Sequence, residues 1–178
     1  PNVLCHAMTL HNTPPQLILQ WIIPDSEDKI AHILAIILRS RQFGILYPEL
    51  VLTHSYAIDV DVNVETRAAL SIFEIRIALK AERYRAQVRA SVFSILEALA
   101  VHSPCPNRLN KAQKRIQLLW YLETEDIQQY RDLLLSWHMF HTDCLEASIV
   151  AYRQITVHDL QRFAARISCS KYLEGTCY

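Results

Sequence analysis

The chain has 178 residues, enough to bury one hydrophobic core without metal or disulfide staples, so we expect a single domain over residues 1–178. Its 18 Lys and Arg balance its 18 Asp and Glu, and this zero net charge does not favour nucleic acid or an anionic membrane as a partner. Two glycines are too few for a phosphate-binding loop, and no apolar run approaches the roughly 20 residues that span a bilayer.

The first part of the chain predicts an irregular arm followed by a split helix. Residues 1–12 show no sustained hydrophobic period. The apolar segment QLILQWII then runs to Pro24, which ends or kinks a helix because proline removes a backbone hydrogen bond and clashes with the preceding turn. Asp25 and Ser26 offer a new N-cap, so a second helix is expected to about Arg39.

Residues 40–63 are predicted to form a long overhand loop. Part of this segment alternates apolar and polar residues, with Val60 and Val62 set against Asp59 and Asp61, as in a strand. An isolated strand is not stable, and the sequence offers no evident partner strand. We therefore interpret the alternation as an extended crossover laid on the helices.

The second half of the chain is predicted to be helical. Apolar residues recur at steps of three, four or seven from about residue 64 to residue 102, where the prolines of segment 103–107 break the helix. A further helix or pair covers about 111–141. The last helix is predicted as one piece over 143–169, with Asp143 as N-cap and Glu146 completing a capping box. The sum is an all-α bundle of about six helices with a long crossover loop after the first.

The sequence offers few candidate sites for catalysis or metal binding. Cys144 and His158 would be separated by about 21 Å along the last predicted helix and cannot form a dyad. His138, His141 and Cys144 have the spacing of zinc ligands but lack a fourth ligand. We therefore expect no enzymatic activity, no cofactor and no metal.

Two basic stretches stand out, one from Arg76 to Arg89 and the other from Arg108 to Arg115. Nucleic-acid binding is one interpretation of such stretches. Solvated helix faces are favoured, because Glu74 and Glu82 interleave the first stretch and the net charge is zero. Either stretch also suits a rim that faces another protein.

The block Cys-Leu-Glu-Ala-Ser at residues 144–148 resembles the last helix of the lambda (type III) interferons, which are class II helical cytokines. Cys5-His6 followed by Pro15-Gln16 is similar to the N-terminal region of that family. Type IV interferons and interleukin-10 relatives share the fold and stay open as closer matches. The resemblance implies a class II helical cytokine bundle.

That resemblance implies a secreted, extracellular, interferon-like cytokine that induces antiviral signalling through JAK-STAT. Its partners would be a heterodimeric class II cytokine receptor, with a specific high-affinity chain and a shared interleukin-10-type second chain. No nucleic acid and no membrane insertion are expected. The implied receptor-binding candidates are Trp21, Asp25, Glu27, Asp28, Arg83, Gln87, Ser91, Arg153, Gln154, His158 and Arg162.

The resemblance also implies a disulfide between Cys5 and Cys105. One unbroken final helix would place Cys144 about 37 Å from Cys169, which leaves Cys169 with Cys177 as a second pair and Cys144 as a free thiol. The alternative function is an intracellular helical interaction or adaptor module without enzymatic activity, in which the cysteines are small buried apolar residues. Because cytosolic thiols stay reduced, disulfides would separate these two hypotheses.

Overall fold

The computed structural model describes residues 14–67, 70–102, 104–125, 128, 131 and 145–177, and it contains a four-stranded antiparallel sheet with helices packed against it. The prediction of an all-α bundle is therefore wrong. The spatial order of the strands is β2-β3-β1-β4. They are β1 (Gln16–Ile23), β2 (Ala57–Arg67), β3 (Leu70–Leu79) and β4 (Leu173–Cys177).

The α-helices are α1 (Asp28–Arg39), α2 (Arg85–Val101), α3 (Pro106–Glu125), α4 (Leu145–Gln154) and α5 (Val157–Cys169). Short helical turns cover Asp25–Glu27, Pro48–Thr53 and Glu82–Tyr84. The predictions of a helix ending near Arg39 and of a break around residues 103–107 are confirmed. None of the helices in the described ranges is long and apolar enough to cross a membrane.

The segment QLILQWII is a strand because its burial repeats every second residue. Leu17, Leu19, Trp21 and Ile23 are almost fully buried, and the residues between them are half-buried or exposed. Side chains of a strand point alternately to its two faces, so this pattern places one face of β1 against the core. A short apolar run does not distinguish a strand from a helix by composition, and Pro24 ends either element.

β3 was predicted as part of a long helix because Phe73 and Ile77 are four residues apart. In the structure the buried set is Ser71, Phe73, Ile75, Ile77 and Leu79, which has a period of two. Only the second part of the predicted helix, in α2, is helical. Apolar residues four apart satisfy both periods, so the pair alone did not decide between helix and strand.

β2 contains the alternation that we interpreted as a loop, and that interpretation is wrong. β2 pairs with β3 along its whole length, from Ala57 opposite Leu79 to Arg67 opposite Leu70. The partner strand was present in the sequence but had been assigned to a helix. Because β3 had been assigned to a helix, β2 lacked a pairing partner and was not accepted as a strand.

The predicted single helix over 143–169 is two helices, with a break at residues 155–156. Thr156 caps α5: its Oγ1 accepts a hydrogen bond from Asp159 N at 3.3 Å, and Asp159 Oδ2 accepts one from Thr156 N at 2.9 Å. Gln113 of α3 donates to Tyr152 O at the end of α4 and to Ile155 O. The chain stops being helical there because both new ends find partners outside the helix ladder. Asp143, the predicted cap, lies outside the described residues.

The core lies between the sheet and the helices α1, α2 and α5. The Trp21 ring centroid is 5.9 Å from that of Phe73 and 6.2 Å from that of Phe93 on α2. Phe73 in turn meets Phe163 of α5 at 5.8 Å. On the opposite face of the sheet Ile22 remains 66% exposed. The domain therefore has two layers, with one face of the sheet covered and apolar side chains on the other.

Candidate functional site

A buried polar cluster lies where the start of α1 meets β2 and α4. Asp28 is only 6% exposed. Its Oδ1 accepts a hydrogen bond from Thr66 Oγ1 at 3.0 Å, and its Oδ2 lies 3.5 Å from His32 Nε2, one helical turn later. The His32 ring meets the Tyr152 ring edge-on, with 6.4 Å between centroids. Side chains from α1, β2 and α4 therefore surround the Asp28 carboxylate.

The electrostatics of this cluster keep the carboxylate charged. Burial on its own raises the pKa of Asp28, but hydrogen bonding and charge from His32, together with smaller contributions from the hydroxyls of Ser71 and Thr66, lower that pKa overall. The pKa of Tyr152 is raised, first by burial of the phenol and then by the negative charge of Asp28. The cluster thus combines an anionic carboxylate with a phenol that stays protonated.

An Asp–His pair is the orienting half of many acid–base sites, in which the carboxylate fixes the imidazole. The His32 side chain is 34% exposed, so solvent reaches it. Nucleophilic catalysis also needs a hydroxyl or thiol within hydrogen-bond reach of the imidazole. In the described ranges no such group is hydrogen-bonded to His32, and what the cluster does achieve is to tie α1 to β2 and α4.

A second polar junction joins the turn before α1 to the last helix. Arg166 of α5 forms an ion pair with Glu27. The Arg166 guanidinium also lies over the Phe163 ring, 5.4 Å from its centroid. Two consecutive residues, Glu27 and Asp28, therefore make the two junctions. The sequence analysis singled out these two residues as surface contacts, whereas the structure uses them to position helices.

The structure separates the candidate receptor-binding residues. Trp21 is 1% exposed in the centre of the core, and Asp28 is buried, so neither is a surface contact and both assignments are corrected. Asp25 is exposed, and Glu27 is half-buried in its ion pair. The signal that would have placed Trp21 inside was the period of two in β1.

The remaining candidates lie on three different helices. Arg83 and Gln87 are exposed and Ser91 is half-buried around the start of α2. Arg153 and Gln154 are exposed at the end of α4, whereas exposed His158 and Arg162 lie on α5 beyond the break. Arg153 and Gln154 therefore do not share one continuous helix with His158 and Arg162, as was predicted, and the assignment of these residues to a receptor surface stays a prediction.

The cysteine predictions fall largely outside the described part. Cys105 and Cys169 are exposed, and neither is disulfide-bonded to another cysteine within the described residues. Cys5, Cys144 and the side chain of Cys177 are outside the described residues, so the two pairings stay predictions. The spacing of His138, His141 and Cys144 also lies outside. Within the described ranges, no group of three His, Cys, Asp or Glu side chains could hold a metal ion.

No protein-family model and no curated protein matches the chain. Solved structures, in contrast, match the chain. A structure described as the inactive peptidase domain of a protein assigned as a zinc protease, from Bordetella parapertussis, has 21% identity and a TM-score of 0.75 and covers 93% of this chain and 91% of that one. A protein assigned as a zinc protease from Bordetella pertussis has 19% identity and a TM-score of 0.74, covering 93% and 94%.

A protease from Helicobacter pylori has 17% identity and a TM-score of 0.74; 86% of this chain matches, which spans only 38% of that protein. Such likenesses show the fold, and the fold is that of M16 peptidase domains. The resemblance to lambda interferons is therefore wrong, and the cytokine function that it implied is overturned with it. A match of five residues within one helix reflected local sequence, whereas the sheet and its topology define the domain.

Proposed function

We propose that this chain is a non-catalytic domain of the M16 peptidase type, which serves as a folded partner for other parts of a larger assembly. The similar structure from Bordetella parapertussis is described as an inactive peptidase domain. A structure from Pseudomonas fluorescens, with 16% identity and a TM-score of 0.70, is described as an M16 inactive domain. These descriptions belong to those proteins and supply the hypothesis for this one.

The observation that carries the proposal is the sequence of α1. Two families of zinc peptidases place two histidines and a glutamate on one helix as H-E-x-x-H or H-x-x-E-H, which supply two metal ligands and a general base or third ligand. None of the eight histidines in the sequence begins either pattern. After His32, the places for Glu and His hold Ala35 and Ile36, which are 4% and 7% exposed in the core.

The donor set of this helix therefore does not fit a zinc site of that type, and we derive no hydrolytic step through a metal. The buried methyl and sec-butyl groups of Ala35 and Ile36 contribute to packing. His32 is instead held by Asp28, one helical turn earlier. His32, Ala35 and Ile36 therefore support the fold of the domain.

A partner role is supported by the second face of the sheet. Ile22 of β1 is 66% exposed and Leu173 of β4 is 63% exposed. Gln20 of β1 pairs with Leu173, so Leu173 projects on the same side as Gln20 and Ile22. Ile22 and Leu173 thus supply exposed apolar surface on this face that another protein could cover.

The test is a metal and peptidase assay on the purified chain. The protein is dialysed against zinc and then against metal-free buffer, and its zinc content is measured by plasma mass spectrometry. Hydrolysis of a fluorogenic peptide library is followed with and without a chelator. We expect substoichiometric zinc and no chelator-sensitive hydrolysis.

The matched control is His32→Ala, measured in the same way. If the chain is non-catalytic, this variant changes thermal stability and leaves zinc content and hydrolysis unchanged. Stoichiometric zinc in the wild-type chain, lost together with peptidase activity in His32→Ala, would refute the proposal.

A further inference from the structure

A polar groove with a volume of about 550 Å³ lies at the end of α1, on a different part of the domain from the Asp28 cluster. Its walls are the loop after α1, the first half of β2, and α3, which contributes Arg115. This volume lies within the range of about 300–1,000 Å³ that is common for ligand sites. The groove is not explained by the proposed function.

The loop that forms one wall is built to a fixed shape. Gly44 N donates to Ser40 O at 2.8 Å, and Phe43 N donates to Ser40 Oγ at 3.3 Å. A Cβ atom at Gly44 would lie 2.1 Å from Ser40 O, so this tight turn requires glycine. A wall held by such contacts loses little conformational entropy when a ligand binds.

The β2 wall is electrically neutral because each of its carboxylates has a guanidinium partner. Arg41 Nη2 donates to Asp59 Oδ1 at 2.9 Å. Arg39 Nη1 donates to Asn63 Oδ1 at 3.0 Å and lies 3.8 Å from Asp61 Oδ1. Two cations and two anions therefore cancel along this wall.

The α3 wall is positive. Residues 106–116 contain four cations, Arg108, Lys111, Lys114 and Arg115, and no acidic residue. In the part of the chain that the structure describes, neither Lys111 nor Arg115 has a carboxylate partner.

An apolar surface lies beside these cations. The Lys111 ammonium is 6.0 Å from the centroid of the Phe43 ring, which is half-buried against the core. Lys111 and Arg115 therefore lie beside a half-buried aromatic ring and a shaped groove, which together offer charged and apolar contacts to a ligand.

We propose that this groove binds a short acidic peptide segment, with carboxylates on Lys111 and Arg115 and an apolar side chain against Phe43. Guanidinium and ammonium groups form charge-assisted hydrogen bonds with carboxylates. The opposite wall is neutral because Asp59 and Asp61 are paired with Arg41 and Arg39, so the groove lacks the continuous positive track that a phosphate backbone requires, and this favours a peptide with separated charges over a nucleic acid. The proposal uses only side chains of this chain and does not depend on the non-catalytic role.

The experiment measures the fluorescence anisotropy of a fluorescein-labelled peptide of alternating Glu and Leu, titrated with the whole chain. We expect saturable binding that weakens as salt is raised. The double variant Lys111→Glu/Arg115→Glu should weaken binding by about tenfold or more, because two charge-assisted contacts become repulsive. The matched control is Lys80→Glu/Lys171→Glu, two exposed lysines with the same change in net charge, and it should bind like the wild type.

Circular dichroism establishes that each variant is folded, and Lys111→Gln/Arg115→Gln replaces the charge reversal if that variant is not. The proposal is overturned if the wild-type chain does not bind the peptide or binds a Lys–Leu peptide equally well. Equal loss in the control variant would also overturn it, because the attraction would then be general. Tighter binding of a short single-stranded oligonucleotide would assign the groove to a different class of ligand.

Discussion

The centre of the sheet and the start of α1 are both buried, but different forces hold them. Around Trp21 and Phe73 the contacts are between aromatic rings, with centroids 5.9 Å apart and no required partner atom. Around Asp28 the contacts are hydrogen bonds of fixed direction, from Thr66 on β2 and His32 on α1. Apolar burial supplies most of the stability, because it scales with area and not with direction.

The polar cluster contributes something else. A buried carboxylate without partners costs free energy, so Asp28 stabilises the fold only when α1, β2 and the Thr66 hydroxyl are in register. A shift of β2 by one residue would turn Thr66 to the other face and leave the carboxylate unpaired. We infer that the core provides stability and the cluster specifies the arrangement.

The largest expected effect is in the core. Trp21→Ala should lower the free energy of unfolding by about 3–5 kcal/mol, because it removes a large buried side chain and leaves a cavity. The Trp21 Nε1–H has no hydrogen-bond partner within the described structure, which places the expected cost toward the lower end. Urea unfolding followed by circular dichroism measures the change.

The neighbouring residue provides the control for this prediction. Ile22→Ala alters the other face of the same strand, where the side chain is 66% exposed, and should change stability by no more than about 0.5 kcal/mol. Equal effects at both positions would show that the two faces of the sheet are buried alike, which contradicts the two-layer architecture.

The next effect is in the polar cluster. Asp28→Asn keeps the shape of the side chain but removes its charge, and should cost about 1–3 kcal/mol at neutral pH. Asp25→Asn, at an exposed position three residues earlier, should be nearly neutral. An equal cost for the two variants would remove the special role of the buried carboxylate.

The pH dependence of this difference follows from the direction of the Asp28 pKa shift. Its folded pKa lies below the ordinary value of 3.8, so ionised Asp28 stabilises the folded state above that value. As pH falls through the lowered folded pKa, both states become protonated and the contribution disappears. The stability gap between wild type and Asp28→Asn should therefore shrink as pH falls below about 4. A gap that is unchanged down to pH 3 would contradict the stabilising role of the charge.

Local sequence signals identified some elements and failed for others. A helix ending near Arg39 was predicted correctly, although neither Asp25 nor Ser26 caps it with its side chain, and the prolines of segment 103–107 ended α2, because prolines act through nearby backbone groups. None of the strands β1, β2 and β3 was predicted as a strand. The apolar spacing in β3 satisfied two periods, and only the pairing with β1 and β2, far apart in sequence, decides which one is used.

Part of the polar cluster could be predicted from the sequence. Asp28 and His32 are four residues apart on a correctly predicted helix, so their contact could have been inferred. Thr66 and Tyr152 join them only because β2 and α4 meet at that point in the tertiary structure. The five-residue block at 144–148 misled the functional analysis, because helical sequence of that length carries no information on the sheet.

A smaller effect is expected at the capping box of α5. Thr156→Ala should cost about 1 kcal/mol, because the N–H of Asp159 loses its acceptor at the helix start. The hydrogen bonds from Thr156 are also the main cause of the lowered pKa of Asp159. Carbon-detected NMR titration of the Asp159 carboxyl should therefore show its pKa returning toward the ordinary value in the variant. An unchanged pKa would mean that the Thr156 hydroxyl does not hold the carboxylate.

The smallest effect is expected at Arg162, which provides the exposed counterpart to Asp28. Its Nη2 lies 3.2 Å from Asp159 Oδ1, but the arginine side chain is 69% exposed. Water screens such a pair, and immobilising two flexible side chains offsets part of the attraction, so Arg162→Gln should cost no more than about 0.5 kcal/mol. Urea unfolding at low and high salt measures it, and salt should remove the small difference. A cost as large as that of Asp28→Asn would mean that burial is not what separates the two charge pairs, and the contrast between the polar cluster and the surface would no longer hold.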